Sequence, residues 1–319
     1  AEDYSRLASS PSRDPDLELE RARAIIRLGD IHQIQMKVPD AIKRYQDAIS
    51  VLKSMANLSS IKHLALAESA HAETRLGVAF TLENRWGDAQ EQYQQAIAVL
   101  LPLADQYPQE IMIDQYLIAA LVNSAEANLA VGKVTPAIET LESAVKRCDK
   151  WTNGETMVAS VRTDAVLAGA RGRELLGRAY QSRGEYDNSD AVLQKAIDVL
   201  TQASRNQVDD PRWLDALASA SVSRANLQRT KGDQSLLERS LKDAAELYQK
   251  LVVAMPDVPT YSENLALTYT DLGLAQLDDE RPEEAKRTLQ EASILLEELL
   301  RVYPDIARYH EQNAVCDDA

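Results

Sequence analysis

A repeat of 48 residues runs through the 319-residue chain and restricts its fold more than any other feature. A small residue recurs at Gly29, Gly77, Ala125, Gly177, Ala225 and Gly273, in steps of 48, 48, 52, 48 and 48. Twelve residues after each stand Ala41, Ala89, Ala137, Ser189, Leu237 and Ala285. Four further on come Tyr45, Tyr93, Leu141, Leu193, Leu241 and Leu289. Three beyond these every copy has alanine: Ala48, Ala96, Ala144, Ala196, Ala244 and Ala292. Steps of three and four place these side chains on one helix face. Self-similarity at a period of this length marks a stacked-repeat architecture.

Each copy reads as two antiparallel helices. The small residue lets the two backbones approach, and the Tyr or Leu fills the space alongside. Gly132, Gly184 and Gly232 fall between the helices and suit a left-handed C-cap. Pro39, Pro136 and Pro282 follow, where the first turn of the second helix needs no N–H. Seven of the eleven glycines occupy these two columns, so glycine here is architectural. The period predicts helices of roughly 20 residues, ~30 Å long. The fourth copy is four residues longer, with Asn153-Gly154 as its expected extra turn.

The pattern resembles the tetratricopeptide repeat (TPR) family from about Glu20 to Tyr303. Its best copies are LGVAFTLENRWGDAQEQYQQAIAV (76–99), LGRAYQSRGEYDNSDAVLQKAIDV (176–199) and LGLAQLDDERPEEAKRTLQEASIL (272–295). The departure is length, since the ordinary repeat has about 34 residues. The resemblance implies an all-α fold: a right-handed superhelical solenoid of about six TPR-like antiparallel helix pairs with long helices. Residues 1–16 are expected to be a loosely ordered lead-in, 17–303 the six-repeat solenoid, and 304–319 a partial seventh repeat or a capping tail. The long period, with the segment P-x-x-P-x-Y-x-x-x-L-A at 256–266, is also similar to arrays attached to planctomycete-type bacterial serine/threonine kinases. The sequence holds no Gly-rich phosphate loop, V-A-I-K, H-R-D or D-F-G. That second resemblance therefore implies a kinase outside this sequence.

Charge narrows the partners. Lys and Arg total 35 against 50 Asp and Glu, a net charge of −15. Such a chain repels nucleic-acid phosphates and anionic membranes on average. No run approaches the roughly 18 apolar residues of a membrane span. No secretory leader is legible; the expected compartment is the cytoplasm, with the periplasm open. Cys148 and Cys316 match no metal spacing and read as unpaired thiols. The four histidines form no HExxH, and neither G-x-S-x-G nor a GK[ST] loop occurs. The expectation is a protein that is not an enzyme, with no cofactor and no metal.

In TPR arrays the first helix of each pair lines the concave face. The resemblance places Arg23, Arg27, His71, Arg75, Asn123, Arg171, Arg178, Asn226 and Arg229 on or near it, with Glu126 and Glu174. Arg23 and Arg27 share one helix face, as do His71 and Arg75. Arginines on the inner face of an acidic protein point to a protein or peptide partner bearing acidic side chains or a terminal carboxylate. Alternatively, they pair with carboxylates on neighbouring helices. Chaperone-binding members of the family clamp a terminal carboxylate with a Lys/Asn/Asn/Lys/Arg set. The matching places here include Ile26, Asp30 and Asn123, so most of that clamp is missing. The expected function is a protein–protein interaction scaffold, the regulatory or recruiting arm of a larger bacterial signalling protein. The alternative is a sensor holding a small ligand or glycan, against which the 5% aromatic content argues. Exposed solenoid ends leave self-association open.

Overall fold

The computed structural model describes residues 2–12, 14–55, 61–152, 159–205 and 210–318. Among them every regular element is an α-helix. A short α1 (Glu2–Ala8) precedes the pairs α2 (Pro15–Ile34) with α3 (Val38–Met55), α4 (Lys62–Leu82) with α5 (Trp86–Gln106), and α6 (Ile111–Ala130) with α7 (Val134–Thr152). Then come α8 (Ala159–Ser182) with α9 (Tyr186–Ser204), α10 (Pro211–Lys231) with α11 (Gln234–Ala254), α12 (Pro259–Asp278) with α13 (Pro282–Val302), and finally α14 (Ala307–Asp318). From α2 to α13 the helices hold 18 to 24 residues, as the long period requires.

The chain divides into two compact units, residues 1–168 and 169–319, with the division inside α8. In the first unit each helix packs on its successor from α1 to α7, and the first helices of consecutive pairs touch, α2 on α4 and α4 on α6. In the second, α9 packs on α10, α11 on α12, and α14 on both α12 and α13. Each unit is thus a helix-pair solenoid.

The repeat columns are the core. All six alanines from Ala48 to Ala292 are at most 1% exposed, and the Tyr/Leu column at most 3%. Burying each Tyr or Leu contributes about 1.5–3 kcal/mol. The small-residue column explains how they fit. A Cβ on Gly29 would stand 2.5 Å from Tyr45 Cε1, and one on Gly273 would stand 2.6 Å from Leu289 Cγ.

The turns inside the pairs share one geometry. The residue seven after the small column has positive φ in every copy: Met36 (59°), Asn84 (57°), Gly132 (77°), Gly184 (76°), Gly232 (73°) and Glu280 (56°). The next residue closes a Schellman motif by donating its N–H five residues back, as in Lys37 to His32 and Arg281 to Gln276, both at 2.9 Å. Starts are marked too. Asp14 and Asp210 accept from the N–H two residues on, at 3.0 and 2.9 Å, and proline follows each cap.

Two terminal stretches are helical. Residues 2–8, expected within a loose lead-in, form α1, which packs on α2, and Arg21 Nε donates to the Ala8 carbonyl at 3.0 Å. Residues 307–318 form α14, with Tyr309 2% exposed and Cys316 against Thr270 Oγ1 at 3.3 Å. The expected turn at Asn153-Gly154 lies outside the described residues.

Candidate partner-binding surface

The first helices of the N-terminal unit are tied together by one buried acid. Glu68, on α4, is 1% exposed. It accepts from Arg23 Nε of α2 at 2.6 Å and from the Tyr116 hydroxyl of α6 at 3.2 Å. Arg23 also donates to Glu20 at 2.6 Å. A carboxylate taken out of water this far needs such partners, since desolvation otherwise costs several kcal/mol. Three consecutive repeats therefore share a charged rung.

Beside the rung lies a groove of about 420 Å³ lined by residues of α1, α2, α4 and α6. Arg23, Arg27 and His71, three of the residues the sequence places on the inner face, all line it. Tyr4, Leu7 and Met112 add apolar wall. The His71 ring stacks on Tyr116, centroids 4.0 Å apart and planes at 12°. Burial, with Arg75 and Arg27 nearby, pushes the His71 imidazole down to about 3, so it is neutral at pH 7. Its Nδ1 is sealed from solvent and has no hydrogen-bond partner. Arg75 lies next to this site, its Nε 3.5 Å from Asp30 Oδ1. Asp30 also accepts from the Tyr45 hydroxyl at 3.0 Å. Asn123 is half-buried on α6, beside Ser124, which pairs with Gln90.

The C-terminal unit holds the other four residues. Arg171 and Arg178 are exposed on α8, flanking Glu174. Glu174 accepts from Ser219 Oγ of α10 at 2.6 Å. Burial, reinforced by Asp215 and opposed by Ser219 and Arg171, raises its carboxyl to about 7. Arg229 pairs with Asp271 of α12 at 2.9 Å, and Asn226 is exposed one turn earlier. Among the described residues no group of three or more His, Cys, Asp or Glu could hold a metal ion, and no helix is long and apolar enough to cross a membrane.

A tetratricopeptide repeat family profile matches residues 174–211, from the second half of α8 into α10. The fold is TPR-like. The chain is similar to the crystal structure of BtubC (BKLC) from P. vanneervenii, with a TM-score of 0.60 and 13% identity over 82% of this chain and 92% of that one. It is also similar to a Signal Transduction ATPase with Numerous Domains protein with a tetratricopeptide repeat sensor from Pyrococcus horikoshii. There the TM-score is 0.59 and the identity 13%, over 98% of this chain and 40% of that one. A Podosopora anserina structure of nearly identical TPR-like repeats matches at 0.53 and 16%, over 75% and 99%. At these identities the likeness is one of fold. No curated protein sequence matches the chain.

Three of the arginines expected on the inner face differ in their carboxylate partners. Arg23 and Arg229 are engaged with carboxylates of the next first helix, as the pairing alternative expects. Arg27 is not: its side chain is 65% exposed and its nearest carboxylate, Asp30, is 4.0 Å away. Glu68, Tyr116 and Met112 escaped the sequence reading. The period could have found the first two, because Tyr116 stands 48 residues after Glu68 in the same column.

Proposed function

We propose that this protein is a protein–protein interaction scaffold that docks a peptide segment of its partner on the first-helix faces. The observation that supports this most is the groove of the N-terminal unit. There a rung of three locked side chains stands beside the exposed Arg27 guanidinium, whose ion pair with Asp30 is 4.0 Å long, and an imidazole whose Nδ1 has no hydrogen-bond partner. Rigid positioning of free donors is what recognition of an extended segment requires. The 48-residue period adds a finer reading, a recruiting arm of a larger bacterial signalling protein such as a serine/threonine kinase. A second reading, a sensor holding a small ligand, draws on the groove's volume, which falls in the range of small-molecule sites.

Affinity capture tests the scaffold. The baits are the wild-type chain and an Arg27→Glu, Arg75→Glu, Arg178→Glu variant of equal melting temperature. A protein retained by the first and lost from the second supports the reading. Retention of no protein by either bait moves the weight to the small-ligand sensor.

A further inference from the structure

We propose that two faces of this chain are complementary halves of one repeat, and that copies associate head to tail by seating α14 of one copy against α1 and α2 of the next. The inference goes beyond the scaffold reading and stands independently of it.

The repeat register places both halves. Residues 307–318 of α14 correspond to 259–270, the first half of the first helix α12, one period of 48 earlier. Residues 2–8 of α1 correspond to 50–56, at the end of the second helix α3, one period later. In an antiparallel pair the first half of one helix lies beside the second half of the other. The two terminal helices therefore carry the two sides of the same half-repeat.

Inside the chain four columns meet at that place: an alanine of the first helix, two side chains of the second, and one at the start of the next first helix. Ala22, Leu52, Met55 and Ala65 share one buried cluster. Ala266, Leu296, Leu299 and Tyr309 share another. Ala218, Tyr248 and Leu251 form a third, with Tyr261 packed against it. The alanine column recurs on α14 as Ala314, and the other three columns recur on α1 and α2 as Tyr4, Leu7 and Leu17. Here all four are exposed. Ala314 lies at the surface, whereas Ala22, Ala70, Ala170, Ala218 and Ala266 are at most 1% exposed. Tyr4 is 43% exposed, Leu7 37% and Leu17 52%. The counterparts of Leu17 at Ala65, Ile113, Ala165, Trp213 and Tyr309 are at most 4% exposed.

Each face lacks what the other carries. A second copy brings to Ala314 a tyrosine and two leucines in the register and helix order that the chain buries elsewhere. The contact joins unlike faces, so every joined copy keeps one face of each kind and association runs past the dimer. The apolar patch is small, which makes the contact weak. Charge opposes it further, since each copy carries −15. Within the chain Arg308 pairs with Glu263 at 2.8 Å. At the joint Glu311 takes the place of Glu263 and Asp16 that of Arg308, so an acid faces an acid. Added salt screens that repulsion and should tighten the association.

The test is sedimentation equilibrium of the full chain from about 10 to 500 µM, at low and high salt. The average mass of the wild type should rise with concentration beyond that of a dimer, and more so at high salt. Leu17→Glu and Ala314→Glu, both at exposed positions, should each weaken association about tenfold or more. An equimolar mixture of the two should form a one-to-one dimer that grows no further, because each variant keeps the face the other has lost. Asp16→Arg, which sets a guanidinium opposite Glu311 as Arg308 is set against Glu263, should tighten association about threefold. Ile34→Glu, at the far end of α2, should leave it within about twofold. If Leu17→Glu lowers the melting temperature, Leu7→Glu takes its place. A wild type that stays monomeric throughout, face variants that associate as the wild type does, or an equal loss in Ile34→Glu overturns the proposal. So does a mixture that stays monomeric or grows past the dimer, weakening by Asp16→Arg, or looser association at high salt.

Discussion

Gly77 lies so close to the Tyr93 ring that a Cβ on it would stand 2.5 Å from Cε1. That contact joins α4 to α5 and repeats as Gly29 with Tyr45, so aromatic bulk on one helix is matched by its absence on the other. Gly77→Ala should destabilise the protein by about 1–2 kcal/mol, because overpacking outweighs the helix propensity gained. Gly87→Ala is the counterpart. Nothing lies within 4 Å of a Cβ there, and the change should stabilise by up to about 1 kcal/mol. Urea unfolding of the two variants checks the opposite signs.

Met36 and Glu280 hold left-handed backbone at φ 59° and 56°, where three other copies use glycine. A side chain with that φ costs about 1–2 kcal/mol. Met36→Gly and Glu280→Gly should each raise the melting temperature, by about 0.5–1 kcal/mol of added stability once the entropy of glycine is counted. Gly184→Ala should lower it by a similar amount. Calorimetry reads all three.

Glu68 receives two hydrogen bonds from different helices while 1% exposed. Glu68→Leu leaves Arg23 and Tyr116 without their acceptor and should cost about 2–3 kcal/mol. Arg23 is one-third exposed and recovers some of its bonding from water. Hydrogen exchange should show the loss as opening of α2, α4 and α6 together.

Two groups give stability opposite pH slopes. His71 has its native pKa at about 3, below the unfolded value near 6.5, because burial and two arginines disfavour its charge. As pH falls below about 6.5 the unfolded chain takes up a proton that the native chain refuses. Stability then declines by up to roughly 1.4 kcal/mol per unit. Glu174 has its native pKa at about 7, above the ordinary carboxylate value of 4.5, chiefly through burial. Its contribution is complete below 4.5 and is lost as pH rises through 7. Denaturation of the variants between pH 5 and 7.5 separates them. His71→Phe should remove the acid-side loss, and Glu174→Gln the loss on raising pH.

The helix pairs were legible because close packing restricts residue type. Only glycine fits beside Tyr45 or Leu289, and a small residue stands at that place in every copy. The left-handed turn residues were half legible. Gly132, Gly184 and Gly232 announced them, and Asn84 is of a type that tolerates the conformation, whereas Met36 and Glu280 carry the same geometry with nothing in their residue type to signal it. Closure of the turn by the following N–H sets that geometry whatever the side chain. In the groove, Arg23, Arg27 and His71 could be placed from their columns alone. Which arginine reaches a carboxylate of the next first helix could not. The partner of Arg23 stands 45 residues away on another helix, and only packing decides that Glu68 reaches Arg23 and not Arg27. Pro11 and the neighbouring serines mark the link after the helix at residues 2–8.

The central claim is that partners dock on the first helices of the pairs. Site-specific photo-crosslinking tests it most directly, with a photoreactive residue at Arg27, Asn123 or Asn226 on first helices and at Lys53, Gln95 or Lys250 on second helices. Adducts with one captured protein from the first set, and none from the second, are the predicted result. Adducts confined to the second-helix positions would contradict it.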